Sequence, residues 1–341
     1  MAQINKPTDY FNTNLWTADD SNPRSITSTH ATDFVWIKSR NQTYIHRLFD
    51  SVRGATKRLR SNGTDAEDTA STEVTAFTST GYTIDSGLNS TDPSTNWVGW
   101  SWLGGGTASS NTDGSITSQV SANTTSGFSI VSYTGNATAG ATVGHGLGTT
   151  PSLMIFKDRD NTRDWIVYHK DLGATKFIKL NLTDASGTAS AYFNDTEPTS
   201  SLFTVGSGTS VNNSGTDYIS YCFAEKKGYS KFGSYTGNGS TDGTFVYTGF
   251  KPAFVMMKRT NTTGEWGMFD NKRDSFNVAT AELKANASDA EEVNGAIDFL
   301  SQGFKLKATS AFMNASGSTY IYMAFAENPL VGTNNIPATA R

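Results

Sequence analysis

Short apolar runs separated by polar turns dominate the pattern along the chain. Between residues 127 and 226 the runs are β-branched and aromatic, and Gly, Asn, Asp or Pro residues separate them: FSIVSYT, TVGHGL, SLMIFKD, DWIVYHK, KFIKLN, SAYFND, LFTVGS and YISYCFAE. This spacing predicts an antiparallel β-sandwich. Eight strands in about 100 residues predict a jelly-roll-like double sheet. No stretch of ten or more residues shows helical periodicity.

Two runs in the last third of the chain are apolar at successive positions instead of alternating with polar residues. These runs are FVMMK and YIYMAFA. A strand that faces solvent on one side alternates, whereas a strand covered on both faces is continuously apolar. We therefore expect these strands to be buried on both faces.

Several motifs recur in register, which indicates internal repetition. GATK stands at 54–57 and 173–176, SYTGN at 132–136 and 234–238, and FAE at 223–225 and 325–327. A lysine followed eight residues later by histidine or tryptophan occurs three times, as Lys38 and His46, Lys157 and Trp165, and Lys258 and Trp266. The common offsets predict three homologous units.

The repeats divide the chain into an all-β array of three tandem jelly-roll-like antiparallel β-sandwich repeats. We expect these at residues 1–103, 127–228 and 229–330. Residues 104–126 are rich in Gly, Ser, Thr and Asn, a composition typical of an extended surface linker. Residues 331–341 are predicted to form a C-terminal arm.

A further repeated motif, NGTDA at 62–66, NLTDA at 181–185 and NASDA at 286–290, has the Asn-x-Ser/Thr pattern of N-glycosylation sites. Each copy follows a strand-like stretch, and its recurrence in register favours a structural turn, since Asn closes Asx-turns well. The Ser/Thr-x-x-Glu spacing at 64–67 and 288–291 also predicts a capping box that opens a short helical turn. The predicted turn residues are Asn62, Thr64, Asn181, Thr183, Asn286 and Ser288.

Charge and composition exclude several classes of partner. The net charge is −4, so no basic surface is expected to bind nucleic acid. No apolar run approaches the roughly 18 residues of a membrane span, and MAQINKPTDYFN lacks the pattern of a secretory signal. Cys222 is the one cysteine, so no disulfide forms within the chain. We expect no nucleic-acid partner and no membrane insertion.

Candidate catalytic groups do not form a recognisable motif. The four histidines lack the spacing of a metal site, and no GxSxG motif occurs. Glu225 matches Glu327, and Asp50 matches Asp270, at equivalent repeat positions. Paired carboxylates can hydrolyse glycosides, but recurrence in register favours a structural role over one active site. The sequence predicts no catalytic residue, no metal and no cofactor.

A contact surface is the remaining functional expectation. Aromatic residues beside Asn- and Gly-rich loops can stack on sugar rings, although strand aromatics are more often core residues. Sandwich loops vary freely and carry contacts, which favours 236–244 and its counterpart in the second repeat. The candidate glycan-contact residues are Asn136, Asn238, Ser240, Asp242 and Trp266.

Long segments of the chain resemble one protein family. They are VSANTTSGFSIVSYTGNATAGATVGHGLGTTPSLMIFKDR, GATKFIKLN, KFGSYTGNGSTDGTFVYTGFKPAFVMMKR, YIYMAFAENP, INKPTDYFNT and WIKSR…HRLFDSVRGATK. They are similar to virion proteins of tailed phages of marine bacteria, of the cyanophage and pelagiphage type, described as tail fibre, tail-associated or lectin-like. The resemblance covers almost the whole chain and carries no catalytic residues.

The resemblance implies a non-enzymatic structural protein of a phage virion, assembled in the bacterial host cytoplasm. It implies a tail-associated, surface-exposed position, contact with other virion proteins, and a contribution to recognising host-surface polysaccharide. Two alternatives stay open: a capsid decoration or head-fibre protein that covers or clamps the shell, and a polysaccharide depolymerase. A homo-oligomer is compatible with each of them.

Overall fold

The computed structural model describes residues 3–89 and 94–328. Within them every paired strand of the sheets is antiparallel, and the strands fall into three groups, which we call unit 1, unit 2 and unit 3. The predicted arm at 331–341 lies outside the described residues. The all-β prediction is confirmed, because the helical segments are single turns of three or four residues.

The strands of each unit follow one another along the chain. Unit 1 follows a short 3-10 turn (Pro7–Asp9) and contains β1 (Phe11–Thr17), β2 (Arg24–Thr27), β3 (Phe34–Ser39), β4 (Arg47–Asp50), β5 (Gly54–Leu59), β6 (Asp68–Thr69), β7 (Val74–Thr78), β8 (Gly81–Ile84), α1 (Ser86–Asn89) and β9 (Asn96–Trp102). Unit 2 contains β10 (Ser109–Asn111), β11 (Ser118–Asn123), β12 (Phe128–Thr134), β13 (Ala141–Gly144), β14 (Leu153–Asp158), β15 (Ile166–His169), β16 (Lys176–Lys179), β17 (Gly187–Thr188), α2 (Ser190–Phe193), β18 (Leu202–Val205) and β19 (Asp217–Phe223). Unit 3 contains β20 (Ser230–Thr236), β21 (Phe245–Tyr247), β22 (Pro252–Arg259), β23 (Trp266–Asp270), β24 (Leu283–Lys284), β25 (Ile297–Leu300), β26 (Gly303–Leu306), α3 (Ala311–Asn314) and β27 (Thr319–Ala326).

Each unit consists of a large inner sheet and a small outer sheet. The inner sheets have the orders β1-β9-β3-β4-β5-β6, β10-β11-β12-β19-β14-β15-β16-β17 and β20-β27-β22-β23-β24. The outer sheets are β2-β8-β7, β13-β18 and β21-β26-β25. The unequal sheets form sandwiches, and the more specific jelly-roll description stays a prediction.

Successive side chains of the central strands point to opposite faces of the inner sheet, and each face packs in a different core. In β3, Phe34 and Trp36 belong to a core that all three units share, whereas Val35 and Ile37 face the core of unit 1 alone. The equivalent strands β14 and β22 divide in the same way: Leu153, Ile155, Phe254 and Met256 face the shared core, and Met154, Phe156, Val255 and Met257 face their own units. Burial on both faces explains why these strands are continuously apolar.

Three equivalent aromatic residues, one from each unit, meet inside the shared core. The ring centroids of Trp102 and Phe223 are 6.3 Å apart, those of Phe223 and Phe325 5.9 Å, and those of Trp102 and Phe325 5.5 Å. Each is the last residue, or nearly the last, of the inner-sheet strand that ends in WLG or FAE. The units therefore surround a pseudo-threefold axis on which these rings lie.

The expectation of a linker at 104–126 is wrong over much of its length. Both β10 and β11 lie there and add to the inner sheet of unit 2, with β11 paired to β12. Ile116 and Val120 supply the reason, since both are buried in the core of unit 2. Sparse aliphatic residues in a Ser/Thr-rich segment were enough to hold it on the sheet.

One predicted strand of unit 2 is instead a helical turn. Residues 190–193 of SAYFND form α2, which ends at Asn194 in the left-handed region with φ 50°. Phe193 is buried against Phe156 and Tyr168. The single turn places this ring in the core of unit 2, which an apolar residue in a short polar run does not reveal by periodicity.

Candidate functional site

The Asn-x-Ser/Thr motifs lie where neighbouring units meet. The side-chain oxygens of Asn62, Asn181 and Asn286 accept hydrogen bonds from the backbone N–H groups of His46, Trp165 and Trp266, at 2.9, 2.9 and 2.8 Å. The amide nitrogen of Asn181 also donates to Asp164, and that of Asn286 donates to Glu265. Both ends of these two side chains are in use, and the predicted turn at each motif is present.

The three residues held by these asparagines each reach across to the next unit. Trp165 Nε1 donates to the carbonyl of Arg60 at 2.8 Å, and Trp266 Nε1 donates to that of Lys179 at 2.9 Å. His46 Nε2 lies 2.9 Å from the carbonyl of Lys284. Each acceptor stands two residues before a motif asparagine, so the three contacts are equivalent and close a ring through units 1, 3 and 2.

A second ring of hydrogen bonds runs through the backbone. The N–H groups of Glu67, Ser186 and Glu291 donate to the carbonyls of Arg159, Thr260 and Arg40, at 2.7, 2.9 and 2.6 Å. These bonds show that the capping-box prediction is wrong, since residues 64–67 and 288–291 are not helical. The N–H that a helix cap would have satisfied pairs instead with the neighbouring unit.

Two of the three unit boundaries carry ion pairs on this ring. Arg159 Nε and Nη2 bind the carboxylate of Glu67 at 3.0 and 3.1 Å, and Arg40 binds Glu291 in the same bidentate way at 2.9 and 3.0 Å. At the third boundary Ser186 Oγ donates to the carbonyl of Thr260. A bidentate pair fixes orientation as well as distance.

The lysine of each repeat is fully buried beside the ring. Lys157 Nζ donates to the carbonyl of Thr64, and Lys258 Nζ donates to those of Thr183 and Asp184, in each case across a unit boundary. Burial lowers the pKa of Lys157 and of Lys258 to about 8. The lowered pKa follows from burial, and the carbonyl partners give these lysines a structural role because they join neighbouring units.

Asp50 and Asp270, which matched each other in the sequence, occupy equivalent buried sites. Each pairs with an arginine three residues later, Arg53 or Arg273. Tyr221 Oη donates to Asp50 at 2.8 Å, and Trp100 Nε1 donates to Asp270 at 3.1 Å, again from a neighbouring unit. Both carboxylates are inaccessible and fully paired, which suits a structural role.

Glu225 and Glu327 do not form a carboxylate pair. Glu225 binds Lys170 and Lys231, at 2.9 and 2.6 Å, and Glu327 binds Lys251 at 2.8 Å. The lysines lower the pKa of Glu225, although burial opposes them. Each glutamate closes a local ion pair at the end of its strand.

All four histidines are buried and separate from one another. Burial lowers the pKa of His30, His46, His145 and His169, and that of His169 falls to about 4. Trp36 Nε1 donates to His46 Nδ1 at 2.7 Å, which leaves Nε2 to donate to Lys284. Across the described residues, no group of three or more His, Cys, Asp or Glu side chains is placed to hold a metal ion.

The loops after β1, β12 and β20 are the exposed features that repeat. A buried asparagine fixes each of them: Asn89, Asn212 or Asn314. Asn212 Oδ1 accepts the N–H of Asn136 at 2.8 Å, and its Nδ2 donates to the carbonyls of Thr138 and Gly206. The loops are therefore held in a defined conformation before any partner binds.

Four of the five candidate contact residues lie in these loops. Asn136, Asn238 and Asp242 are exposed and Ser240 is half-buried. Part of their bonding capacity is already used, since Asn238 Nδ2 donates to the carbonyl of Asp242 within the loop and Asp242 pairs with Lys305 of β26. The structure brings together Asn238, Ser240 and Asp242 in the loop 236–244, and it places Asn136 on the equivalent loop of unit 2.

The prediction that Trp266 contacts a glycan is wrong. It is 2 % exposed, and its indole N–H is bonded to Lys179. The tryptophan at this position is needed at the unit boundary, so it cannot present its face to a sugar. Trp16, Tyr133 and Tyr235, which precede the loops, are also buried, as the core alternative predicted.

The buried loop asparagines were missed in the sequence. Asn212 and Asn314 each begin an Asn-x-Ser-Gly segment, at 212–215 and 314–317. This second repeated asparagine motif was the signal that could have found them.

The clefts on the described surface are open to solvent. One of about 410 Å³ is lined by Asn5, Lys6, Asp9, Thr125 and Lys226, among others, and a second of about 250 Å³ lies between Thr8, Asn271 and Glu327. A ligand pocket usually encloses most of its ligand, and a few polar groups in the pocket point at the ligand. Neither cleft brings together the candidate residues above.

Residues 6–329 match the model of a family described as a domain of unknown function, DUF7483, and the chain belongs to that family. No curated protein sequence matches the chain. Within the described residues, no helix is long and apolar enough to cross a membrane.

Proposed function

We propose that this member of the DUF7483 family is a non-enzymatic structural protein of a phage virion, tail-associated and surface-exposed, that contributes to recognising host-surface glycans. One observation carries the proposal. Three equivalent units close a ring around a shared core and leave one asparagine-pinned loop exposed on each unit. The resemblance to tail-associated virion proteins supplies the setting.

The closed ring suits a rigid block that presents loops. Units that share a core cannot move independently without exposing apolar surface, which costs about 25 cal/mol per Å². Loops fixed by buried asparagines lose little conformational entropy on binding. Three similar loops on one chain can also bind a repetitive surface polysaccharide together, so that modest single contacts add up to useful avidity.

The capsid alternative has an observation of its own. Trp102, Phe223 and Phe325 meet on a pseudo-threefold axis, so one chain has the symmetry of a trimer. A pseudo-trimer fits a local threefold position of an icosahedral shell, where a decoration protein would clamp neighbouring subunits. Copy number per virion separates the two positions: about a dozen supports the tail, and several hundred supports the head.

The depolymerase alternative receives no comparable support. Glycoside hydrolysis needs two carboxyl groups that flank a substrate cleft. Asp50 and Asp270 are buried in ion pairs, and Glu225 and Glu327 are each bound by lysine. Shortened chains after incubation with host polysaccharide would replace the binding proposal with an enzymatic one.

The binding experiment compares loop variants with a matched control. Thr138 and Thr241 are exposed in the loops of units 2 and 3, and we expect the double substitution to arginine to lower labelling of host cells by the purified protein at least tenfold. Ser200→Arg makes the same kind of change at an exposed position at the opposite end of β18 from the loop, and should leave labelling unchanged. Equal labelling by all three proteins, or no labelling by the native protein, contradicts receptor recognition through these loops.

A further inference from the structure

The outer sheets of the three units differ in how their edge strands are covered. Each outer sheet has two edge strands, and β2, β13 and β21 are the equivalent edge in the three units. Ile26, Val143 and Val246 are the equivalent buried residues of these strands. The residues on either side of each of these point their backbone N–H and C=O groups away from the sheet partner. An uncovered edge of this kind is a template for another strand.

In unit 2 the chain covers this edge with its own segment 115–118. The N–H of Thr142 donates to Ser115 Oγ at 2.9 Å, and the carbonyl of Thr142 accepts the N–H of Ile116 at 2.9 Å. Ser118 Oγ donates to the carbonyl of Gly144 at 2.9 Å. Ile116 is 6 % exposed and packs into the core of unit 2.

In unit 1 a side chain covers part of the same edge. Asn14 Nδ2, on the neighbouring β1, donates to the carbonyl of Thr27 at 2.7 Å. The covering group is polar and comes from the chain itself. The edges of β13 and β2 are therefore covered in part, the first by the extended segment 115–118 and the second by one side-chain amide.

In unit 3 the equivalent edge residues are Phe245 and Tyr247. Two backbone hydrogen bonds to β26 and its turn show which residues of β21 face their sheet partner: Leu306 N–H donates to the Thr244 carbonyl, and Thr248 N–H donates to the Gln302 carbonyl. Hydrogen-bonded and outward-facing residues alternate along an antiparallel strand, so the backbone groups of 245 and 247 point outward. No backbone partner for them is found among residues 3–89 and 94–328. Units 2 and 3 are joined by the short segment 224–229, which has no room for a covering hairpin like that of residues 109–123.

The side chains at this edge also differ from those of the other units. Phe245 is 47 % exposed and Tyr247 is 64 % exposed, where unit 2 has Thr142 and Gly144 and unit 1 has Ser25 and Thr27. Large apolar side chains on a bare edge are a hazard that soluble proteins normally avoid. They occur only where residues 3–89 and 94–328 supply no cover, which points to a partner that covers them.

We propose that the edge of β21 binds an extended strand from another protein chain, by strand addition to the outer sheet of unit 3. The segment that covers the equivalent edge of unit 2 gives the chemistry of that strand: uncharged, with Ser or Thr flanking one β-branched aliphatic residue. Backbone hydrogen bonds to Phe245 and Tyr247 supply the affinity of strand addition, and contacts with the two rings supply selectivity.

The experiment uses a synthetic peptide of residues 114–120, GSITSQV, capped at both ends so that it is uncharged, as the probe. Hydrogen exchange of the intact protein is followed by NMR or mass spectrometry with and without millimolar peptide. We expect exchange at Phe245 and Tyr247 to slow at least tenfold, with no change in the edge of unit 2. A peptide with aspartate in place of its isoleucine should protect at least tenfold less.

Two variants separate backbone pairing from aromatic contact. Tyr247→Pro removes an outward N–H that the internal ladder does not use, so the sheet stays intact while protection by the peptide is lost. Tyr247→Thr keeps the N–H and should weaken binding only a few-fold. Unchanged protection in the proline variant, or no protection of the native protein at saturating peptide, overturns the proposal. Protection of these residues without peptide that increases with protein concentration would show that a second copy of this chain covers the edge. That result would also overturn the proposal.

Discussion

Phe325 lies at the centre of the shared core, and its replacement by alanine tests whether the three units are one cooperative structure. The ring is 1 % exposed and lies within 6.5 Å, between centroids, of six other aromatic rings. Those rings belong to Phe11, Trp102, Phe223, Tyr229, Phe232 and Phe254. They come from all three units.

The expected loss follows from the cavity that the substitution leaves. A buried Phe→Ala change typically costs about 3–5 kcal/mol, because the surroundings collapse only partly. Favourable ring pairs add about 0.5–1.5 kcal/mol each beyond buried area, which places Phe325→Ala at the upper end, about 5 kcal/mol. At about 1.4 kcal/mol per tenfold change, the folding equilibrium constant falls roughly 10³–10⁴-fold.

The assay is guanidinium unfolding combined with hydrogen exchange. We expect a single transition in the native protein, shifted to lower denaturant in Phe325→Ala, and faster exchange in the private cores of units 1, 2 and 3 alike. Phe276→Ala is the matched control, since Phe276 belongs to the same unit and is 85 % exposed; its effect should stay within about 0.5 kcal/mol. Faster exchange confined to unit 3, or a loss below about 1 kcal/mol, refutes the shared core as the basis of cooperativity.

Burial raises the pKa of Glu282 to about 7, above its ordinary value of 4.5, so the folded state favours the protonated carboxyl. The contribution of this carboxyl to the stability of the fold is therefore fully present below about pH 4.5 and is lost as the pH rises through 7. Thermal melting of Glu282→Gln should therefore match the native protein at pH 4.5 and exceed it at about pH 8, and parallel pH profiles would contradict this. Asn212→Ala should cost about 1–3 kcal/mol and speed hydrogen exchange at the loop that contains Asn136, because buried backbone groups lose their partner, whereas Asn136→Ala should cost much less. Asn181 should stay unmodified in a host that glycosylates, since its amide is buried and bonded to Asp164, and a hexose-scale mass increment on this residue would disprove the structural assignment of the motif.

Local pattern was sufficient for the fold class and for most strands. Alternating and continuously apolar runs predicted β14, β15, β19, β22 and β27, because side-chain period and burial are properties of a strand and its two faces. The helical turn α2 and the strands β10 and β11 were missed. Their few apolar side chains act through the neighbours they meet, Phe156 and Tyr168 for Phe193 and the core of unit 2 for Ile116.

The candidate site was predicted in part. Loop asparagines such as Asn238 are exposed, as a Gly- and Asn-rich turn indicates. Trp266 was predicted as a glycan contact but is buried, because its burial depends on a neighbouring unit and not on its own strand. The pinning residue Asn314 stands 76 positions from Asn238, a distance at which sequence spacing carries no information about contact.

The sequence by itself determined that this protein is all-β and that Asn62, Asn181 and Asn286 mark turns at the ends of strands, and it predicted three related units. Repetition is visible in the order of residues, and turn chemistry depends on neighbouring residues, so both can be recognised from the sequence. The tertiary structure alone decided that the units close into a ring. That closure rests on Trp165, Trp266 and His46 bonding to carbonyls of adjacent units. Such bonds join atoms far apart in the chain, and their geometry exists only once the shared core has formed.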